Sequence, residues 1–70
     1  MNAEPQIIEE VRTGTVVRIT VETPWPVPAD PEGSMAEAAL YQWAQDALPE
    51  WADYYPTNAE RTSWEFIAPI

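Results

Sequence analysis

Seventy residues of 7.9 kDa make one small domain at most, a size at which a core alone folds only marginally unless a disulfide or a metal staples it. The chain has no cysteine, histidine or lysine, which excludes disulfides, thiolate nucleophiles, zinc sites, an imidazole base and Schiff-base chemistry. Twelve Asp and Glu stand against three Arg, a formal charge of −9 that argues against direct binding to nucleic acid or to anionic membranes, while 46% apolar content and four tryptophans separate the chain from disordered acidic segments.

Gln6 to Glu22 reads as a β-hairpin, with Ile7, Ile8, Val11, Val16, Val17, Ile19 and Val21 in two runs around Thr13-Gly14. A three-residue loop Arg12-Thr13-Gly14, with Gly14 left-handed, places Ile7 and Val11 on one face with Val17, Ile19 and Val21. It also sets Arg18 across from Glu10. Glu9 interrupts the apolar face.

Residues 23–33, TPWPVPADPEG, hold four of the eight prolines and form an ordered connector from which Trp25 folds back over the sheet. Asp30 and Glu32 flank Pro31 without a calcium-loop pattern and suit helix capping.

Residues 34–48 read as the main helix, opened by a Ser34/Glu37 capping box and carrying the stripe Met35, Ala36, Ala39, Leu40, Trp43, Ala47 and Leu48, with Glu37, Gln42, Gln45 and Asp46 toward solvent. Pro49 stops it and opens a short second helix over 49–55, ended by Pro56. After the loop Thr57–Glu60, residues 62–68 alternate as a final strand with Trp64 and Phe66 inward and Pro69 beyond its end. The expected fold is α+β: a small antiparallel three-stranded sheet covered by one main helix and a short second one, in the order ββα(α)β.

No catalytic constellation emerges. Carboxylates are the one reactive group in quantity, and a domain this small offers little room for a glycosidase cleft; Ser34 and Ser63 have no activating base. No cofactor or metal is called for. Trp43 and Trp64 are expected in the core, where each large aromatic contributes roughly 1.5–3 kcal/mol. Trp51, Tyr54 and Tyr55 are open to two readings, core or interface anchors.

The charge is unevenly placed. Ile19 to Glu60 is a 42-residue interval with eight acids and no base. From it come Glu37 and Asp46 on the main helix, Glu50 and Asp53 on the expected second helix, and Glu60 in the following loop. Helical neighbours three or four apart lie about 5–6 Å from each other, close to the pitch of successive phosphates. Carboxylates so spaced suit a channel lined by arginine and lysine, with Trp51, Tyr54 and Tyr55 as apolar contacts.

Length near 70, the ββα(α)β order, strong acidity and the lack of catalytic residues together resemble small phage-encoded inhibitors, in particular anti-CRISPR proteins that act as DNA mimics. That resemblance implies a stoichiometric inhibitor docked on the basic surface of a nucleic-acid-binding host defence complex; with no basic N-terminal targeting segment and no apolar run of 18 residues, a cytoplasmic protein, monomeric or homodimeric, is expected. The resemblance assigns no individual residue. The alternative is a small acidic accessory module, homodimeric through strand edges and the aromatic cluster.

Overall fold

The computed structural model describes residues 3–28 and 34–69. They form β1 (Gln6–Thr13), β2 (Val16–Glu22), α1 (Ser34–Ala47), β3 (Asp53–Pro56) and β4 (Ser63–Pro69), an α+β arrangement with one antiparallel sheet in the order β1-β2-β4-β3. The sheet has four strands rather than three, and one helix rather than two. The Cα radius of gyration is 11.8 Å and the extents are 35 × 26 × 17 Å.

The segment expected as the second helix, 49–55, is instead an extended lead-in followed by β3. Aspartate, tyrosine and tryptophan are weak helix formers, and aromatics suit a pleated, half-buried surface. Pairing decides the matter: Asp53 opposes Ile67, Tyr54 opposes Phe66, and the Ala52 N–H donates to the Ile67 carbonyl at 2.9 Å. Pro56 is tolerated because β3 is an edge strand.

The first hairpin also turns one residue later than expected. Thr13 opposes Val16 across a two-residue Gly14–Thr15 turn; Gly14 has φ +61°, and Thr15 is not in the left-handed region, the pattern of a type II′ turn. The shift moves Val11 opposite Arg18, away from the core face, and brings Glu10 opposite Ile19, so the expected Glu10–Arg18 pair does not form. A bulge between Ile7 and Glu9 restores the phase, returning Ile7 to a position opposite Val21. All of β1 is exposed.

The core lies between α1 and the inner face of β2, β4 and β3. Ile19, Val21, Trp64, Phe66 and Ala68 supply the sheet side, Leu40, Ala44 and Leu48 the helix side, and Val27 the connector. Trp64 and Phe66 alternate inward as expected, and Trp43 packs against the core while half-buried. The helix stripe is rotated from its expected position: Met35 is 85% exposed and Ala39 and Ala47 are exposed, whereas Ala44 is buried and Glu37 is half-buried. The capping box rests on the Ser34 side chain, which lies outside the described residues, as do the capping roles of Asp30 and Glu32.

Long-range hydrogen bonds hold the proline-rich connector. Thr23 N–H donates to the Thr62 carbonyl at 2.8 Å, and the Trp25 indole N–H donates to the Ala36 carbonyl of α1 at 3.3 Å while the side chain packs against the core. In the β3–β4 loop, Asn58 Oδ1 accepts from the N–H groups of Thr62 and Ser63, and Arg61 adopts φ +58°. No helix among the described residues is long and apolar enough to cross a membrane.

Candidate acidic binding face

The structure divides the expected site residues among three places. Asp46, Glu50 and Asp53 lie at the end of the sheet marked by the Gly14 turn, because α1 finishes there and Asp53 opposes Ile67 near the end of β4. All three are exposed. Asp53 alternates with Tyr54 and therefore faces the outer side of the sheet, while Asp46 and Glu50 belong to the helix side. Its Oδ1 accepts from the Tyr54 N–H at 2.8 Å. Glu60 is exposed at the opposite end, in the β3–β4 loop, where Glu22 opposes Ser63 and lines a shallow groove with Glu4.

Glu37 is used internally. Its carboxylate accepts from the Tyr54 hydroxyl at 2.9 Å and pairs with Arg61 at 3.2 Å. It reaches toward β3 and the following loop while its side chain stays 37% exposed.

The aromatic residues also separate. Trp51 and Tyr54 are half-buried in a chain of rings: Tyr41 meets Trp51 edge-on at 5.2 Å, Trp51 meets Tyr54 and Phe66 at 5.2 and 5.1 Å, and Tyr54 stacks on Phe66 at 5.3 Å. These contacts give both residues a packing role. Trp51 also lines an open groove of about 380 Å³ with Tyr41, Leu48, Pro49 and Glu50. Tyr55 projects from the outer face, 38% exposed, and donates to Glu65 at 2.6 Å.

Arg18, Tyr55 and Glu65 form an outer-face cluster that sequence reasoning missed. Arg18 Nη1 lies 2.6 Å from Glu65 Oε1 and donates to the Tyr55 hydroxyl at 3.3 Å. The signal was present in the alternation: Arg18 stands between Val17 and Ile19, and Glu65 between Trp64 and Phe66, so both must point outward. The Tyr55 hydrogen bond, followed by that of Arg18, holds the Glu65 carboxyl below its ordinary range. A lowered native pKa contributes stability above the unfolded value, and that contribution is lost as pH falls through the native one.

Tyr54 carries the larger perturbation. Burial first, then the hydrogen bond and negative charge of Glu37, push its phenol up to about 12. The unfolded phenol titrates near 10, so the native state binds the extra proton between those values and stability falls as pH rises across that window. Urea midpoints measured from about pH 9 to 12 are expected to drop in the wild type and to drop less steeply in Tyr54→Phe. Equal slopes for the two proteins would contradict the assignment.

These contacts set the charge that the surface presents. Arg18 and Arg61 are each paired with a carboxylate, which leaves eight of the ten acids among the described residues, and Arg12 has no ion pair among the described residues. Asp46 stands in the last turn of α1, which has no basic residue. A negative charge there opposes the helix dipole.

Comparisons with protein-family models, curated proteins and solved structures find no match to the chain.

Proposed function

We propose that the protein is a stoichiometric inhibitor that binds a basic, nucleic-acid-binding surface by presenting carboxylates in place of phosphates. The observation that supports this reading is the pairing of Arg18 with Glu65 and of Arg61 with Glu37, which leaves eight carboxylates among the described residues and one arginine to oppose them. The long dimension of 35 Å matches about ten phosphates of one strand at about 3.4 Å each. Asp46, Glu50 and Asp53 at one end and Glu22 and Glu60 at the other are the candidate contacts, with Tyr41 and Trp51 beside Glu50 as apolar anchors. The resemblance to anti-CRISPR proteins extends the proposal to a CRISPR-type defence complex in the bacterial cytoplasm as the target.

The test is displacement of labelled duplex DNA from such a complex, which is expected to saturate at a fixed molar ratio of inhibitor to complex. The paired variant Asp46→Lys and Glu50→Lys should bind about tenfold more weakly or worse. Asp46→Lys alone should raise helix stability by about 0.3–1 kcal/mol by complementing the dipole. Weaker binding from a chain that is no less stable separates a contact residue from a structural one. Unchanged displacement by the paired variant would contradict the proposal.

A further inference from the structure

The two edges of the sheet are unequal. β3 is four residues long and ends in Pro56, features that discourage further pairing. β1 is eight residues long, exposed throughout, and carries Ile7, Ile8 and Val11 at 42%, 55% and 43% exposure. We propose that β1 pairs antiparallel with β1 of a second copy, with Val11 on the two-fold axis and Glu10 opposite Arg12 of the other copy on both sides of it. This self-association does not depend on the inhibitor reading.

Backbone geometry and charge select that register together. The Gly14–Thr15 turn closes on Thr13 and Val16, the pair that shares the turn's hydrogen bond. Bonded and non-bonded pairs alternate along an antiparallel ladder, so Val11 and Glu9 bond inward to Arg18 and Thr20. The N–H and C=O groups of Glu10 and Arg12 then point to the open edge. Self-pairing must use these two residues. Centred on Glu10 it sets Glu10 against Glu10, and centred on Arg12 it sets Arg12 against Arg12, both like-charge pairs that destabilise a ladder. Centred on Val11, it forms two Glu10–Arg12 pairs, each with outward-pointing backbone groups.

The neighbouring positions agree. The two Val11 side chains meet in a non-hydrogen-bonded pair, where side chains approach most closely. Glu9 falls opposite Thr13, so no like charges oppose each other. Ile8 falls at the end of the pairing, opposite Gly14, where a Cβ would meet no atom within 4 Å. The bulge between Ile7 and Glu9 limits the flat stretch to Glu9–Thr13, and an interface of five residues per copy belongs to the weak, reversible class. Two copies of charge −9 repel, so association should tighten as salt screens them.

Sedimentation at high protein concentration, in about 50 mM and about 500 mM salt, reads this directly. The wild type is expected to approach twice the 7.9 kDa chain mass at the higher salt. Glu10→Arg and Arg12→Glu should each remain monomeric alone, because each places like charges across the axis. An equimolar mixture of the two should form a heterodimer, and the double variant carrying both changes should dimerise again. Circular dichroism of each variant checks that the domain is folded. A wild type that stays monomeric at the higher salt overturns the proposal and leaves the edge to a foreign extended segment. Single variants that dimerise as well as the wild type overturn it equally, since they would place the interface elsewhere.

Discussion

Trp64→Ala is expected to abolish the cooperative urea transition of this domain at 25 °C. Trp64 is 1% exposed, lies against Tyr54 with ring centroids 5.7 Å apart, and donates its indole N–H to the Arg61 carbonyl at 2.8 Å. Truncating a buried tryptophan costs about 3–5 kcal/mol, against a total stability on the order of 4–10 kcal/mol for a chain of this length. No disulfide offsets the loss, because the chain has no cysteine. Trp64→Phe keeps most of the volume and gives up the indole hydrogen bond, so a loss of about 1–2 kcal/mol with a retained transition is expected. Far-ultraviolet circular dichroism through the titration distinguishes the two, and a well-folded alanine variant would contradict the assigned core.

Arg61 is the second position where a large effect is expected, and here the side chain and the backbone pull in opposite directions. The guanidinium donates to the carbonyl of buried Val27 at 2.8 Å, pairs with Glu37, and lies 5.0 Å from the Trp64 ring. It thereby ties the proline-rich connector, the first turn of α1 and the start of β4 together. Arg61→Ala removes a charged hydrogen bond to a buried acceptor together with a cation–π contact, at a cost of about 2–4 kcal/mol. The backbone stands at φ +58°, which costs a residue with a Cβ roughly 1 kcal/mol relative to glycine. Arg61→Gly should therefore lose less than Arg61→Ala by about that amount. Urea titration of the two variants measures the difference, and an alanine variant at least as stable as the glycine one would contradict the strained turn.

Several features of this architecture are legible in the sequence for identifiable reasons. The alternation of Trp64 and Phe66 in β4 is read correctly because a period of two over seven residues leaves one possible inner face. The body of α1 is legible for the same kind of reason, although Ala44 and Met35 exchange roles because alanine-rich segments carry a weak hydrophobic pattern. β3 is missed because a proline at each side of a short aromatic run, Pro49 and Pro56, punctuates a helix and a strand alike. Only the pairing with β4 chooses between them. The turn at Gly14 is displaced by one residue, and the period-two rule turns that small error into a reversed face for Val11.

The expected acidic face was harder to read because ion pairing is a tertiary property. Glu37 has the helical position of a solvent-facing residue, yet Arg61 and Tyr54 reach it from the β3–β4 hairpin. Tyr54 and Tyr55 are adjacent in sequence and fall on opposite faces because they lie in a strand. The one-sided depletion of bases between Ile19 and Glu60 remains informative. Its arginine boundaries, Arg18 and Arg61, are each paired with one carboxylate, Glu65 and Glu37, so neither is left to offset the other acids.

The most direct measurement is the affinity of the protein for a CRISPR-type effector complex, determined by displacement of bound duplex from about 50 to about 500 mM salt. Charge imitation predicts a fall of at least about tenfold across that range, with the logarithm of affinity declining steadily against the logarithm of salt. An affinity that does not change with salt would contradict it.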